Sequence, residues 1–242
     1  RQDNLCHFEG LVAKAAGKSD LVVLPEMFTT GFSMNPGRLA EPMDGATMQA
    51  VKEWARKFGL AVAGSFIAEE GNHYYNRAFF AEPGGQLACY DKRHLFSMAG
   101  EDKHYTAGKQ PLVVSYKGWN IALFICYDLR FPVWSRNTGN RYDMAVYMAN
   151  WPEARASVWK PLLLARALEN QAYVCGVNRT GVDGKGFAYR GGSVVYSPKG
   201  ETILDAADRE EAVETAALSY AGLDTFRTKF PVSNDADTFH IG

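Results

Sequence analysis

I-A-L-F-I-C-Y-D-L-R-F-P, Ile121 to Pro132, is the stretch on which the reading of this chain turns. Its apolar residues run without alternation, as in a strand covered on both faces, and give way at Cys126 to polar and charged residues. Sheet proteins commonly place their chemistry at the carboxyl ends of such strands, so Cys126 stands where a thiol can react. The competing reading is a small buried hydrophobe, since free cysteine is among the most buried residue types.

Outward from this strand the chain alternates between sheet and helix patterns. Upstream, 113–116 and 119–126 flank a Lys-Gly turn, and 60–68, 74–82 and 86–92 read as a meander separated by E-E-G-N-H and P-G-G. Earlier still, Leu5, Phe8, Leu11, Val12 and Ala15 recur at helical spacing over 4–16. A short buried strand follows at 20–25, then a second helix at 45–58 ended by Gly59. Downstream, a short helix is expected at 131–139, a strand at 142–149 and a helix at 153–170 with Val158, Leu162, Ala165 and either Leu164 or Leu168 inward. Strands are expected at 172–178, 193–197, 201–204 and 211–218. Strands interleaved with helices, without repeats or linkers, predict an α/β or α+β layer fold in one domain, with sheet packed on sheet and helices outside.

Composition narrows the partners. A net charge of −1 with interspersed signs leaves no basic stripe for nucleic acid and no polybasic cluster for a membrane surface. No apolar run reaches membrane-spanning length and the start lacks a signal-peptide core, which predicts a cytoplasmic protein. The four cysteines are scattered without C-x-x-C spacing and are read as reduced; the five histidines form no ligand motif, so no metal is expected.

Three groups with complementary chemistry each follow a strand pattern: Glu26 in P-E-M-F, Lys92 in Y-D-K-R-H-L-F and Cys126 in C-Y-D-L-R-F-P. A carboxylate can take the thiol proton, the thiolate can attack a carbonyl or nitrile carbon, and an ammonium can stabilise the charge that develops. Taken singly, Glu26 and Lys92 also read as solvated surface charges.

In this order the three blocks resemble the signature blocks of the nitrilase superfamily of carbon-nitrogen hydrolases, over nearly the whole chain. The resemblance implies Cys126 as nucleophile, Glu26 as general base, Lys92 as oxyanion stabiliser and Glu101, in G-E-D-K-H-Y-T-A-G, as a second glutamate that positions the lysine and the substrate amide. It implies the backbone N–H of Tyr127 as a further oxyanion donor and no cofactor. Asp91, Asp128 and Arg130 are read as residues that hold the loops. With A-N-W-P-E-A-R and R-A-L-E-N-Q-A-Y-V, the blocks look most like the bacterial omega-amidases, which hydrolyse the terminal amide of 2-oxoglutaramate or 2-oxosuccinamate. Trp151 and Arg155 are then candidates to bind the substrate, Arg155 at its carboxylate, and Phe28 to shape the pocket wall. The implied fold is a four-layer α-β-β-α sandwich that dimerises through its outer helices. Superfamily members begin with a strand ahead of the first helix; this sequence opens on the helix, so the expected domain, 1–242, lacks that strand. Two alternatives stay open: another amidase, carbamoylase or nitrilase with the same catalytic groups, and a non-enzymatic binding module in which Cys126 is structural.

Overall fold

The computed structural model describes residues 1–241. Backbone contacts divide the chain into two compact units. The first comprises Arg1–Leu112 with the short segments Ile125–Tyr127 and Met148–Asn150. Its elements are α1 (Gln2–Ala15), β1 (Leu21–Val23), α2 (Pro36–Leu39), α3 (Ala46–Phe58), β2 (Ala61–Glu70), β3 (His73–Ala81) and β4 (Leu87–Asp91). The four strands form one sheet in the order β1-β2-β3-β4, with β1 parallel to β2 and the rest antiparallel. A parallel pair needs a long crossover, and α3 lies within it.

Both long helices form where the apolar spacing predicts them. Leu5, Val12 and Ala15 of α1 and Met48, Val51, Trp54 and Ala55 of α3 are buried. Gly59 ends α3 at φ 67°, a left-handed cap whose N–H donates to the Ala55 carbonyl. An ion pair from Lys57 to Glu9 (2.8 Å) joins the two helices at their exposed edge.

The second unit comprises Val113–Phe124, Asp128–Tyr147 and the chain from Trp151 onward. It contains β5 (Val113–Tyr116), β6 (Trp119–Ile125), β7 (Met144–Ala149), α4 (Ala156–Asn170), β8 (Tyr173–Asn178), β9 (Thr180–Val182), β10 (Ala188–Arg190), β11 (Val194–Tyr196), β12 (Thr202–Asp205) and α5 (Tyr220–Lys229). The carboxyl-terminal residues of β6 and β7 are counted with the first unit. Six strands form a sheet in the order β12-β11-β8-β7-β6-β5, and β9 pairs with β10 in a separate hairpin.

Three expectations in this half are corrected. Residues 131–139 form no α-helix; the chain takes a 3-10 turn at Cys126–Arg130, immediately after β6, and another at Thr138–Asn140. Between them Asn137 replaces backbone partners: its Oδ1 accepts from Tyr142 N and its Nδ2 donates to the Tyr142 and Asn170 carbonyls. The inward face of α4 is shifted by one residue, to Trp159, Leu163, Arg166, Ala167 and Asn170, while Leu168 is exposed. Two of these inward residues are polar: Arg166 donates to the Leu129 carbonyl (2.6 Å) and Asn170 Oδ1 accepts from Asn137 N. Residues 211–218 join no sheet among the described residues; they carry no regular structure before α5, which Ser219 caps by accepting from Gly222 N. The β9–β10 hairpin and α5 were not expected. No helix among the described residues is long and apolar enough to cross a membrane.

Candidate active site

The site is built in the first unit, on the far side of three strand ends. Beyond β1, Leu24 N still donates to the Ala63 carbonyl, and the chain then turns through Glu26. Met27 follows at φ 45°, a conformation costly for a side-chain-bearing residue, and it is held there by Ser65 of β2. Met27 N donates to Ser65 Oγ (2.8 Å) and Phe28 N to the Ser65 carbonyl (3.1 Å). Glu26 is thereby pinned against β2 and is only 1% exposed.

Lys92 continues β4 by one residue, its N–H donating to the Asn76 carbonyl of β3 (3.0 Å). Glu101 starts a 3-10 turn after Gly100, whose φ of 76° lets the chain fold back. The buried side chains then converge. Lys92 Nζ donates to Glu26 Oε1 (2.8 Å) and to Glu101 Oε2 and Oε1 (2.9 and 3.1 Å). Burial works against this ammonium, but the Glu101 and Glu26 carboxylates outweigh it and raise its pKa, so the lysine stays charged across the accessible pH range. Burial raises the Glu101 carboxyl, with Lys92 opposing.

Cys126 follows β6 directly and adopts φ 45°, a second left-handed non-glycine residue at a strand end. The side chain is partly exposed yet crowded by protein, and its thiol lies close enough to Glu26 for the carboxylate to influence its proton. Burial, then the Glu26 charge, push the thiol well above its ordinary range, while Lys92 pulls it down. The resting sulfur therefore holds its proton at neutral pH and needs a base to become a nucleophile.

Two asparagines absent from the sequence reading complete the cluster. Asn76 Nδ2 donates to Glu26 Oε1 (2.7 Å) and Glu101 Oε1 (3.1 Å). Asn150, just past β7, donates from its backbone N to Glu26 Oε2 (2.9 Å) and from Nδ2 to the Glu26 carbonyl (2.7 Å). Asn150 carried a signal, because it follows a strand end as Cys126 does, whereas Asn76 is hidden inside a strand pattern. Among the described residues, no three histidine, cysteine or acidic side chains are grouped to hold a metal ion.

Of the remaining candidates, Phe28 is 4% exposed and packs edge-to-face against Phe8, Trp54 and Phe79, so it belongs to the aromatic core and not to a pocket wall. Phe32, whose ring centroid is 5.4 Å from Lys92 Nζ, is the aromatic that faces the cluster. The Tyr127 ring packs on Phe96 at 5.0 Å. In the second unit the Trp151 indole is enclosed by Trp159 and the Arg130 guanidinium and donates to the Arg155 carbonyl (2.8 Å). Arg155 sits in the 3-10 turn Glu153–Arg155 ahead of α4. Asp91, read as a loop-holding residue, pairs with Arg77 (2.7 Å).

The carbon-nitrogen hydrolase family model matches residues 1–228. The chain belongs to the carbon-nitrogen hydrolase family. This hydrolase is 46% identical to omega-amidase YafV of Escherichia coli K12, over 98% of this chain and 92% of that protein. It is 33% identical to 2-oxoglutaramate amidase of Bacillus subtilis, over 96% and 91%. A solved CN-hydrolase superfamily protein of Xanthomonas campestris, with an arsenic adduct in its active site, is 42% identical and superposes with TM-score 0.97 over 100% of this chain and 93% of that one. The mixed α/β fold of the carbon-nitrogen hydrolase is thus that of the nitrilase superfamily.

Proposed function

We propose that this carbon-nitrogen hydrolase is an omega-amidase that converts 2-oxoglutaramate or 2-oxosuccinamate to the 2-oxo dicarboxylic acid and ammonia through a thioester on Cys126. The observation that carries the reading is a buried lysine shared by two buried carboxylates, with the Cys126 thiol in electrostatic reach of one of them, Glu26. Near full-length similarity to YafV and to the 2-oxoglutaramate amidase supports the substrate class.

The hydrogen bonds favour distinct roles for the two glutamates. A carboxylate offers about four acceptor sites. Glu101 receives four bonds, from Lys92 at both oxygens, from Asn76 and from Phe96 N, and has no site left for a proton. Glu26 receives three, from Lys92, Asn76 and Asn150, which leaves one site for the thiol proton. Glu26 is therefore the base and Glu101 a positioning residue.

Glu26 removes the thiol proton and the sulfur attacks the amide carbon. The oxyanion is stabilised by Lys92 Nζ and by the N–H of Tyr127. The proton on Glu26 passes to the amide nitrogen, the carbon–nitrogen bond breaks and ammonia leaves. Water, giving its proton to Glu26, then attacks the thioester; the acid is released and the thiol regains its proton. Arg155 is proposed for the 2-oxo acid carboxylate, which its planar fork matches, with Trp151 beside it in the chain. A cytoplasmic setting keeps the thiol reduced, and the assembly proposed is a homodimer.

Ammonia release from 2-oxoglutaramate, with glutamine, an N-carbamoyl amino acid and a simple nitrile alongside, tests this reading. Selective turnover of the 2-oxo amide, abolished by Cys126→Ala, is expected. Preference for another of these compounds overturns the substrate class, and turnover that survives Cys126→Ala overturns the mechanism.

A further inference from the structure

We propose that Asn76 is a positioning residue for the proton transfer: its amide bridges Glu26 and Glu101, so that both carboxylates stay ionised around one ammonium and Glu26 keeps an open acceptor site for the thiol proton. The proposal rests on the base role of Glu26 given above.

Asn76 lies inside β3 and is fully buried. Its amide orientation is dictated by its neighbours. Ser65 Oγ already accepts from Met27 N, so its hydroxyl donates to Asn76 Oδ1 (3.0 Å). The opposite end, Nδ2, then faces Glu26 Oε1 and Glu101 Oε1, and both of its hydrogens are used. A reversed amide would set an oxygen against two carboxylate oxygens. The same two carboxylate oxygens also accept from Lys92 Nζ, which closes a ring of two nitrogens and two oxygens.

The ring answers an electrostatic difficulty. Two buried carboxylates and one ammonium leave a net negative charge, and neighbouring carboxylates tend to retain a shared proton. A proton kept there would occupy the site that must receive the one from sulfur. Asn76 favours the ionised pair with two N–H donors and adds no charge, which aspartate could not do. Its backbone carbonyl also holds Lys92 N, so one residue spaces all three charged groups. Cys126 and Tyr105 are also in electrostatic reach of the pair, and both favour protonated carboxyls when they ionise.

The test follows iodoacetamide alkylation of Cys126 against pH, read on the Cys126 peptide by mass spectrometry because Cys6 and Cys89 are also exposed. It needs no substrate, so a wrong substrate class leaves it intact. If Glu26→Gln keeps the acid limb of the parent, the base reading fails separately. Asn76→Ala removes the donors and leaves a gap; Asn76→Leu removes them while roughly keeping the volume. Both are expected to move the acid limb to higher pH by about one unit, a tenfold loss of rate along that limb. Ser65→Ala, which frees the amide, moves it the same way by less and carries the test if the Asn76 variants do not fold. A packing role predicts instead that Asn76→Leu is milder than Asn76→Ala and that the profiles fall uniformly with an unmoved limb. That result overturns the proposal.

Discussion

Cys126 is held at φ 45°, where a residue with a side chain is strained by roughly 1–2 kcal/mol. Strain of this kind persists when surroundings over-determine it, and here the strand before and the 3-10 turn after leave the thiol facing Glu26. Removing the base should leave a thiol that burial alone keeps protonated. Glu26→Gln is expected to lower amide turnover by about 10²–10⁴, with alkylation of Cys126 recovering only as the pH is raised; unchanged turnover at neutral pH would rule out the base. Lys92→Met strands two buried carboxylates and should cost about 3–5 kcal/mol at neutral pH. The Glu101 carboxyl, which burial already raises, then loses the lysine that opposes the shift, so its folded pKa lies above the unfolded one and stability returns as pH falls through the folded value. Urea unfolding at pH 7 and pH 5 checks the sign, since the deficit against the parent must shrink at the lower pH. Glu26, Lys92 and Cys126 were legible in the sequence because each comes within three residues of a strand's end. Asn76 and Ser65 were not, because one apolar-rich strand pattern conceals which of its polar residues point at another strand's end.

At the scale of elements, close approaches decide where the side chains go. A Cβ on Gly108 would lie 2.0 Å from the Asp91 carbonyl oxygen, while Gly108 N donates to the Lys92 carbonyl (2.9 Å). Gly108→Ala must therefore push apart the segment that carries Lys92. Ammonia release is expected to fall at least tenfold in a protein that still folds, and an unaltered rate would show the segment to be soft. Gly176 in β8 plays the packing counterpart: a Cβ there would meet Leu163 Cδ1 at 2.3 Å, which is why α4 turns Trp159 and Leu163 inward. The sequence reading chose the neighbouring face because an arginine and an asparagine share the true one. The C-terminal helix α5 is tied by Arg227, which donates to the Gln171 carbonyl, Asp143 Oδ1 and the Tyr142 carbonyl. Arg227→Ala leaves the Asp143 carboxylate without that partner and should cost about 1–3 kcal/mol, with faster proteolysis confined to residues after 219. Equal protection of α5 in variant and parent would contradict it.

For the molecule as a whole, a single domain over 1–242 is proposed, and it predicts one calorimetric transition with matching calorimetric and van't Hoff enthalpies. Two resolved transitions would divide the chain. The sequence by itself determined the alternation of helix and strand, the meander, and the three blocks that mark the carbon-nitrogen hydrolase family, because periodicity and motif order are local properties that survive without coordinates. Only the tertiary structure decided which face of α4 is buried, that Phe28 belongs to the core, and that Asn76 and Asn150 hold Glu26. Those outcomes depend on which backbone and side-chain partners satisfy each buried polar group, and such partners come from strands far apart in the chain.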